Sequence, residues 1–320
     1  MQNVLVTGAN GFIGRAFCKR LMAEGLRVRG ALRRPKNTAD LPAGMETVQI
    51  ESIGDETDWS DALSNIDVVV HMAARVHVMH DRESDPLALY RQVNVRGTEH
   101  LARMAASNGV NRFVFMSSVK VNGEGKPTAY SEEDKPLPED PYGISKWEAE
   151  QQLHQIHNET AMDVVVFRAP LVYGPGVRAN FLRLLKTIHR GIPLPLANVK
   201  NQRSLIYLEN LVDAVIRGIN NPQPTKGTYL LSDGEDVSTP ELIRRVALAL
   251  NTSPRLFPFS PSLIIGAAKL LGKKAAVDRL FGTLMVDTSK IRRELDWKPP
   301  FTMDQGLEET AKWFRQEVTP

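Results

Sequence analysis

Short apolar runs separated by stretches of helical spacing fill the first half of the chain. Val4-Leu5-Val6 runs straight into Gly8, Gly11 and Gly14, and residues 15–24 then carry a helical pattern closed by Gly25. Further strand signals stand at 26–32, 47–50, 67–72, 112–117 and 163–168. Helical stretches fall between them at 59–64, about 86–107, and from Pro141 to about Asn158, the last with Asp140 placed as its cap. Strands alternating with helices in this way predict an α/β fold built on a doubly wound parallel sheet of the Rossmann type. After Pro170 the regularity breaks. Helical spacing returns at 180–190, 239–251, 262–271 and 307–317, and short strands are expected at 205–208 and 228–231. Residues 124–141 read as a polar surface loop.

Composition narrows the class without adding chemistry. The 320 residues are 42% hydrophobic and 24% charged, an ordinary globular balance, and a formal charge of +3 makes no case for nucleic acid or a membrane surface as partner. The lone cysteine, Cys18, rules out a disulfide within the chain. No apolar run approaches the roughly 20 residues a membrane span needs, and no charged-then-apolar leader follows Met1. A cytoplasmic location is the expectation. His77 and His80, with Asp81, have no further ligand cluster near them in sequence, so no metal is expected.

In an open parallel sheet, ligands bind beyond the carboxyl ends of the strands. The first strand ends in the glycine turn, spaced G-x-x-G-x-x-G, which lets backbone amides approach a pyrophosphate at the start of the following helix. The second ends in Arg33-Arg34, where an acidic residue would hold the ribose hydroxyl of NAD. Two guanidiniums suit a 2′-phosphate instead, which favours NADP(H) and leaves NAD possible. The fifth ends in Ser117-Ser118, and the helix after the loop carries Tyr142 and Lys146 on one face. A lysine ammonium and an oxidised nicotinamide would together lower a phenol from its usual pKa near 10 and let it move protons at a carbinol or ketone. Ser118 would hold the same oxygen by a hydrogen bond. His71 reads as a packed core histidine, and the four tryptophans as packing residues.

Together, Thr7-Gly8-x-x-Gly11-x-x-Gly14, Ser118 and Tyr142-x-x-x-Lys146 resemble the extended short-chain dehydrogenase/reductase family, and within it the sugar-nucleotide epimerases, dehydratases and reductases. The resemblance runs the length of the chain. It implies a catalytic set of Ser118, Tyr142 and Lys146. It also implies a cofactor site of Gly8, Gly11, Phe12, Ile13, Gly14, Arg33, Arg34, Asp55, Ala73, Ala74, Asn94, Tyr142 and Lys146. Val172-Tyr173-Gly174-Pro175-Gly176 matches a further motif of these relatives. Asn180 and Arg203 fall where relatives hold a nucleotide diphosphate, and Arg279 in the region that closes on it. With Ser118 and Lys120, these three make the implied substrate contacts, for a nucleotide sugar and most naturally a UDP-sugar. Residues 1–170 with about 203–225 would form the dinucleotide domain. About 171–202 with 226–320 would form a smaller α/β substrate domain. The helices over 86–107 and after Pro141 are the pair that relatives use to form a homodimer.

Departures from the family pattern select among activities. Dehydratases carry an Asp-Glu pair after the catalytic hydroxyl; here Val119-Lys120 follows Ser118. Val121-Asn122-Gly123 replaces the usual V-Y-G, and Ala169-Pro170-Leu171 stands where many relatives have an asparagine. A reductase exchanges cofactor at every turnover and draws on NADPH, so Arg33 and Arg34 favour NADPH-dependent reduction of a nucleotide-linked 4-keto sugar, such as a UDP-4-keto-6-deoxy-hexosamine for surface polysaccharide. The alternative is an NAD(P)-dependent UDP-hexose or UDP-N-acetylhexosamine 4-epimerase. A reductase of non-sugar carbonyls has no use for Asn180, Arg203 and Arg279 at a diphosphate. A binding protein without turnover has no need to keep both Tyr142 and Lys146.

Overall fold

Successive residues along a strand point to opposite faces, and in this chain both faces are apolar. Val4, Val6, Val68, Val70, Val114, Val165 and Phe167 pack into one buried cluster, while Leu5, Val69, Phe113, Phe115, Val164 and Val166 pack into another on the far side. Strands of this kind require helices on both faces. The computed structural model describes residues 2–33, 41–76, 85–221, 227–270 and 280–318. Arg34, His77, His80, Asp81 and Arg279 lie outside the described residues.

The first half runs β1 (Asn3–Thr7), α1 (Phe12–Ala23), β2 (Arg27–Leu32), β3 (Glu46–Gln49), α2 (Ser60–Leu63), β4 (Val68–His71), α3 (Pro86–Tyr90), α4 (Gly97–Ser107), β5 (Arg112–Ser118), α5 (Pro141–Glu159) and β6 (Asp163–Ala169). The remainder runs β7 (Leu171–Tyr173), α6 (Ala179–His189), β8 (Arg203–Tyr207), α7 (Leu208–Asn220), β9 (Gly227–Leu230), β10 (Asp236–Val237), α8 (Thr239–Ala249), α9 (Pro261–Leu270), α10 (Ser289–Leu295) and α11 (Met303–Trp313). Seven strands form one parallel sheet in the order β3-β2-β1-β4-β5-β6-β9. The chain winds outward in both directions from the boundary between β1 and β4, which makes that boundary the switch point where ligands bind. A three-stranded sheet, β10-β8-β7, sits beside it, with β7 and β8 parallel and β10 antiparallel.

Two strands join sheets other than those the sequence assigns. The stretch at 227–230, placed with the smaller domain, is the seventh strand of the large sheet, with Val165 opposite Gly227. Conversely β8, placed with the large domain, is the centre of the small sheet. Strands of four or five residues carry no mark of their partner. Their sheet is set by α7, which packs against α1 and the large sheet and returns the chain beside β6. The long helix at 86–107 is also more than a regular helix: Arg91–Arg96 winds as a π-helix between α3 and α4, and it buries Asn94. Such an insertion turns one side chain inward and is frequent at functional sites.

One buried ion pair locks the carboxyl end of the sheet to α5. Arg168 on β6 donates from Nη2 to Glu150 Oε2 at 2.6 Å, and both side chains are almost fully buried. Glu150 also accepts from the Ser117 hydroxyl, and Arg168 Nη1 donates to Asn122 Oδ1 at 3.1 Å. Removing one partner leaves the other charge buried and unpaired. Glu150→Ala therefore lowers unfolding stability in urea by about 3–5 kcal/mol, and the paired change Glu150→Leu with Arg168→Met recovers most of that loss.

Candidate functional site

The glycine turn between β1 and α1 has no room for side chains. Gly8 has φ +71°, and a Cβ on it would lie 2.9 Å from the Ala73 nitrogen; one on Gly14 would lie 2.1 Å from the Gly8 carbonyl oxygen. Helix α1 begins at Phe12 with Gly11 as its cap, so no side chain covers its first amides, and no acid stands in its first turn. Uncovered amides at a switch point, approached closely by the Ala73 backbone, fit the pyrophosphate of a dinucleotide. Phe12, Ile13, Ala73 and Ala74 are half-buried around this turn. Arg33 is exposed at the end of β2. Asp55 is exposed as well, 3.9 Å from Arg96, beside the buried Gly54.

A chain of hydrogen bonds fixes the loop after β4. The Thr98 hydroxyl donates to the Asn94 carbonyl at 2.7 Å, so its oxygen accepts from His71 Nε2 at 3.0 Å. His71 Nδ1 is then the acceptor for the Thr7 hydroxyl at 2.7 Å, and Thr7 in turn accepts from the Ala73 amide at 3.2 Å. Burial, reinforced by the Lys146 charge, lowers the His71 pKa to about 3, so the ring is neutral and structural, as the sequence implies. Asn94, the residue turned inward by the π-helix, exchanges two bonds with the Arg75 backbone. Its amide also donates to Ser145 Oγ at 2.9 Å, and Ser145 donates to the Tyr142 carbonyl at 2.8 Å.

Ser118 ends β5, and Tyr142 and Lys146 lie one turn apart on α5, which is capped by Asp140 through Gly143 N at 2.7 Å. The Lys146 ammonium sits 4.2 Å from the centre of the Phe115 ring and is almost wholly buried. Desolvation lowers its pKa to about 7, against the pull of Glu150. The expected acidic phenol included the charge of an oxidised nicotinamide, and the protein groups alone do not acidify Tyr142. Its pKa is raised, first by burial and then by the nearby Asp140 and Tyr90. The expectation took Lys146 as fully charged, whereas burial leaves it only partly so at neutral pH. The protein's own groups therefore favour the neutral phenol of Tyr142, and an added positive charge would favour the phenolate. A cationic nicotinamide ring carries such a charge.

The sequence places Lys120 among the substrate contacts, but its ammonium is held by Glu124 at 2.8 Å and by Asp140. Arg203, half-buried on β8, donates to the Gly282 carbonyl at 2.9 Å, and burial lowers its pKa, with Glu124 pulling the other way. Residues 282–287 clasp the loop after β5: Tyr130 N donates to Met285 O, and a Cβ on Gly125 would fall 2.0 Å from Thr283 O. Arg203, Glu124 and Lys120 thereby come to one side of the β5 end. Asn180 is exposed in the first turn of α6, just after Ala179 at φ +52°. Among the described residues, no group of three or more His, Cys, Asp or Glu could hold a metal, and no helix is long and apolar enough to cross a membrane.

Sequence reading missed Thr98 and Ser145, which carry Asn94's alignment to the site. Ser145 lies three residues after Tyr142 and Thr98 four after Asn94, so helical spacing alone could have pointed to both. The π-turn itself leaves no mark in a pattern read at 3.6 residues per turn. Tyr173, noted only as part of a motif, donates to the buried Asp233 at 2.8 Å, and Asp233 also accepts from Tyr207 N and Asn210. This carboxylate ties β7 and β8 to α7.

Residues 4–231 match the NAD dependent epimerase/dehydratase family. The chain is similar to the UDP-glucose 4-epimerase of Vibrio cholerae, with 43% identity over 98% of this chain and 96% of that protein. It is also similar to the N-acetyl-alpha-D-glucosaminyl-diphospho-ditrans,octacis-undecaprenol 4-epimerase of Escherichia coli O157:H7, at 28% identity over 97% of this chain and 95% of that one. Among solved structures, MoeE5 in complex with UDP-glucose and NAD superposes with a TM-score of 0.80 at 26% identity, over 99% of this chain and 100% of that chain.

The lowered pKa of Lys146 has a measurable consequence in dinucleotide-free protein. Between about pH 7 and its ordinary value of 10.5, the unfolded chain binds a proton at this lysine that the folded chain does not. Stability against urea therefore rises between pH 7 and 9. Lys146→Met flattens that rise, and an unchanged slope in the variant contradicts the assignment.

Proposed function

Because the chain belongs to the NAD dependent epimerase/dehydratase family, we propose that it inverts the configuration at carbon 4 of a nucleotide-linked sugar, with a UDP-hexose or UDP-N-acetylhexosamine as substrate. The observation that carries this reading is the pairing of Tyr142 with a desolvated Lys146 in a chain 43% identical to a UDP-glucose 4-epimerase. Reduction of a 4-keto sugar stands first on sequence grounds. The two relatives named above are both 4-epimerases, and this moves epimerisation ahead of it. Both readings use the same groups and differ in whether the cofactor leaves oxidised or unchanged.

A nicotinamide dinucleotide would be held at Gly8, Gly11, Phe12, Ile13 and Gly14 with Ala73, Ala74 and Asn94, and would supply reversible hydride acceptance. Tyr142 takes the proton of the 4-hydroxyl and later returns it to the same oxygen. Ser118 donates a hydrogen bond to that oxygen as it becomes a carbonyl. Lys146, one turn along α5, lowers the cost of the phenolate. Arg203 and Asn180 face the diphosphate, with Arg279 beyond the described residues. Arg33 and Arg34 would receive a 2′-phosphate, so NADP is accepted alongside NAD. Helices α4 and α5, packed on each other, supply the face of a homodimer, and a monomer mass in light scattering would remove that element alone.

The test is turnover of UDP-glucose and UDP-N-acetylglucosamine by protein loaded with NAD or with NADP, read by chromatography of the sugars and absorbance of the cofactor. Interconversion of epimers with no net change in cofactor redox state is expected. Tyr142→Phe lowers the rate about 10²–10⁴-fold while dinucleotide binding persists. Stoichiometric oxidation of NADPH by a 4-keto sugar nucleotide, without epimerisation, would return the reading to a reductase. Activity with NAD alone would remove Arg33 and Arg34 from the cofactor contacts.

A further inference from the structure

The turn after β5 carries a cation that none of the expected roles explains. Lys120 lies two residues beyond Ser118, and its backbone amide donates to Ser118 Oγ at 3.3 Å. Its ammonium reaches across to Asp140, the residue that caps α5, and to Glu124. Asp140 uses its other oxygen to hold the Gly143 amide. There is no slack between the two segments, since a Cβ on Gly143 would lie 2.9 Å from the Lys120 carbonyl oxygen. Asp140 is thus fixed two residues before Tyr142, with Lys120 as its counter-ion.

We propose that Lys120 is a positioning residue for the Tyr142 phenolate: it neutralises Asp140, which would otherwise set a carboxylate against the negative charge on Tyr142, and it aligns Ser118 through its own amide. This rests on the role given to Tyr142 above. Of the groups around that phenol, Lys146 lies on its own helix, Tyr90 comes from α3 with its ring centre 6.4 Å away, and Asp140 caps α5. The elements packed on α5 add Arg75, stacked over Tyr90 at 5.6 Å, Arg91 paired with Glu148, and Glu150 paired with Arg168. His71 is neutral. Glu148 and Glu150 each have a salt-bridge partner, and Lys120 is a counter-ion on Asp140, the carboxylate that caps the helix two residues before Tyr142. Both Asp140 and burial already raise the Tyr142 pKa, so the site depends on every positive charge that offsets them.

The test is a charge cycle read in two ways. Lys120→Gln exposes Asp140, Asp140→Asn removes its charge while an asparagine still caps the helix, and the double variant removes both. The first readout is the pH dependence of epimerisation of UDP-glucose, in which activity rises as Tyr142 deprotonates. The second is the ultraviolet titration of the phenol in NAD-loaded protein, taken as the difference from Tyr142→Phe, which needs no turnover. Lys120→Gln moves both midpoints up by about one pH unit, Asp140→Asn does not, and the double variant returns most of the way to the parent. Lys120→Arg, which keeps the charge, leaves both in place. A uniform loss of rate with unmoved midpoints, or a shift that Asp140→Asn fails to reverse, overturns the proposal. If the phenol titration shifts as described while neither UDP-glucose nor UDP-N-acetylglucosamine is epimerised, this inference stands and the functional reading above fails.

Discussion

Lys146 has to stay out of water yet within reach of Tyr142, and the arrangement at the top of β4 and β5 follows from holding it there. A buried ammonium is costly, and its pKa falls accordingly. The Phe115 face beneath it returns part of the cost, and neutral His71 adds no second charge. The same socket leaves the phenol un-ionised. Protein groups alone therefore favour the neutral phenol of Tyr142, and on the proposed reading a cationic ring would offset them.

The two sheets divide the work around that socket. The large one presents the glycine turn at its switch point and the Ser118 end of β5 beside it. The small one, with the 282–287 segment, brings Arg203 and closes over the loop that carries Lys120 and Glu124. Asp233 and the Arg168–Glu150 pair hold these parts rigidly, each by satisfying several buried donors at once. The geometry at Ser118 is thus inherited from contacts made on β6, β8 and α5.

Much of this was legible in the residues. Apolar runs with helices between them give the parallel sheet, and the glycine turn and the Tyr142–Lys146 spacing mark the switch point and the reactive face. Three things were not legible. Strand partners for 203–207 and 227–230 depend on where α7 packs, and short strands do not record it. The π-turn that buries Asn94 hides inside an otherwise regular helical pattern. The ionisation of Tyr142 and Lys146 depends on desolvation, which spacing does not express: the residues suggested a charged lysine beside an acidic phenol, while burial favours the neutral forms of both.

The central claim is that this pair of groups serves a hydride removed and returned at one carbon of one bound sugar. UDP-glucose deuterated at carbon 4, converted by the enzyme in ordinary water, tests it directly by mass and NMR analysis of the UDP-galactose formed. Retention of deuterium at carbon 4 of the product is the predicted result. Product that has lost the label, to solvent or to released cofactor, would contradict the account.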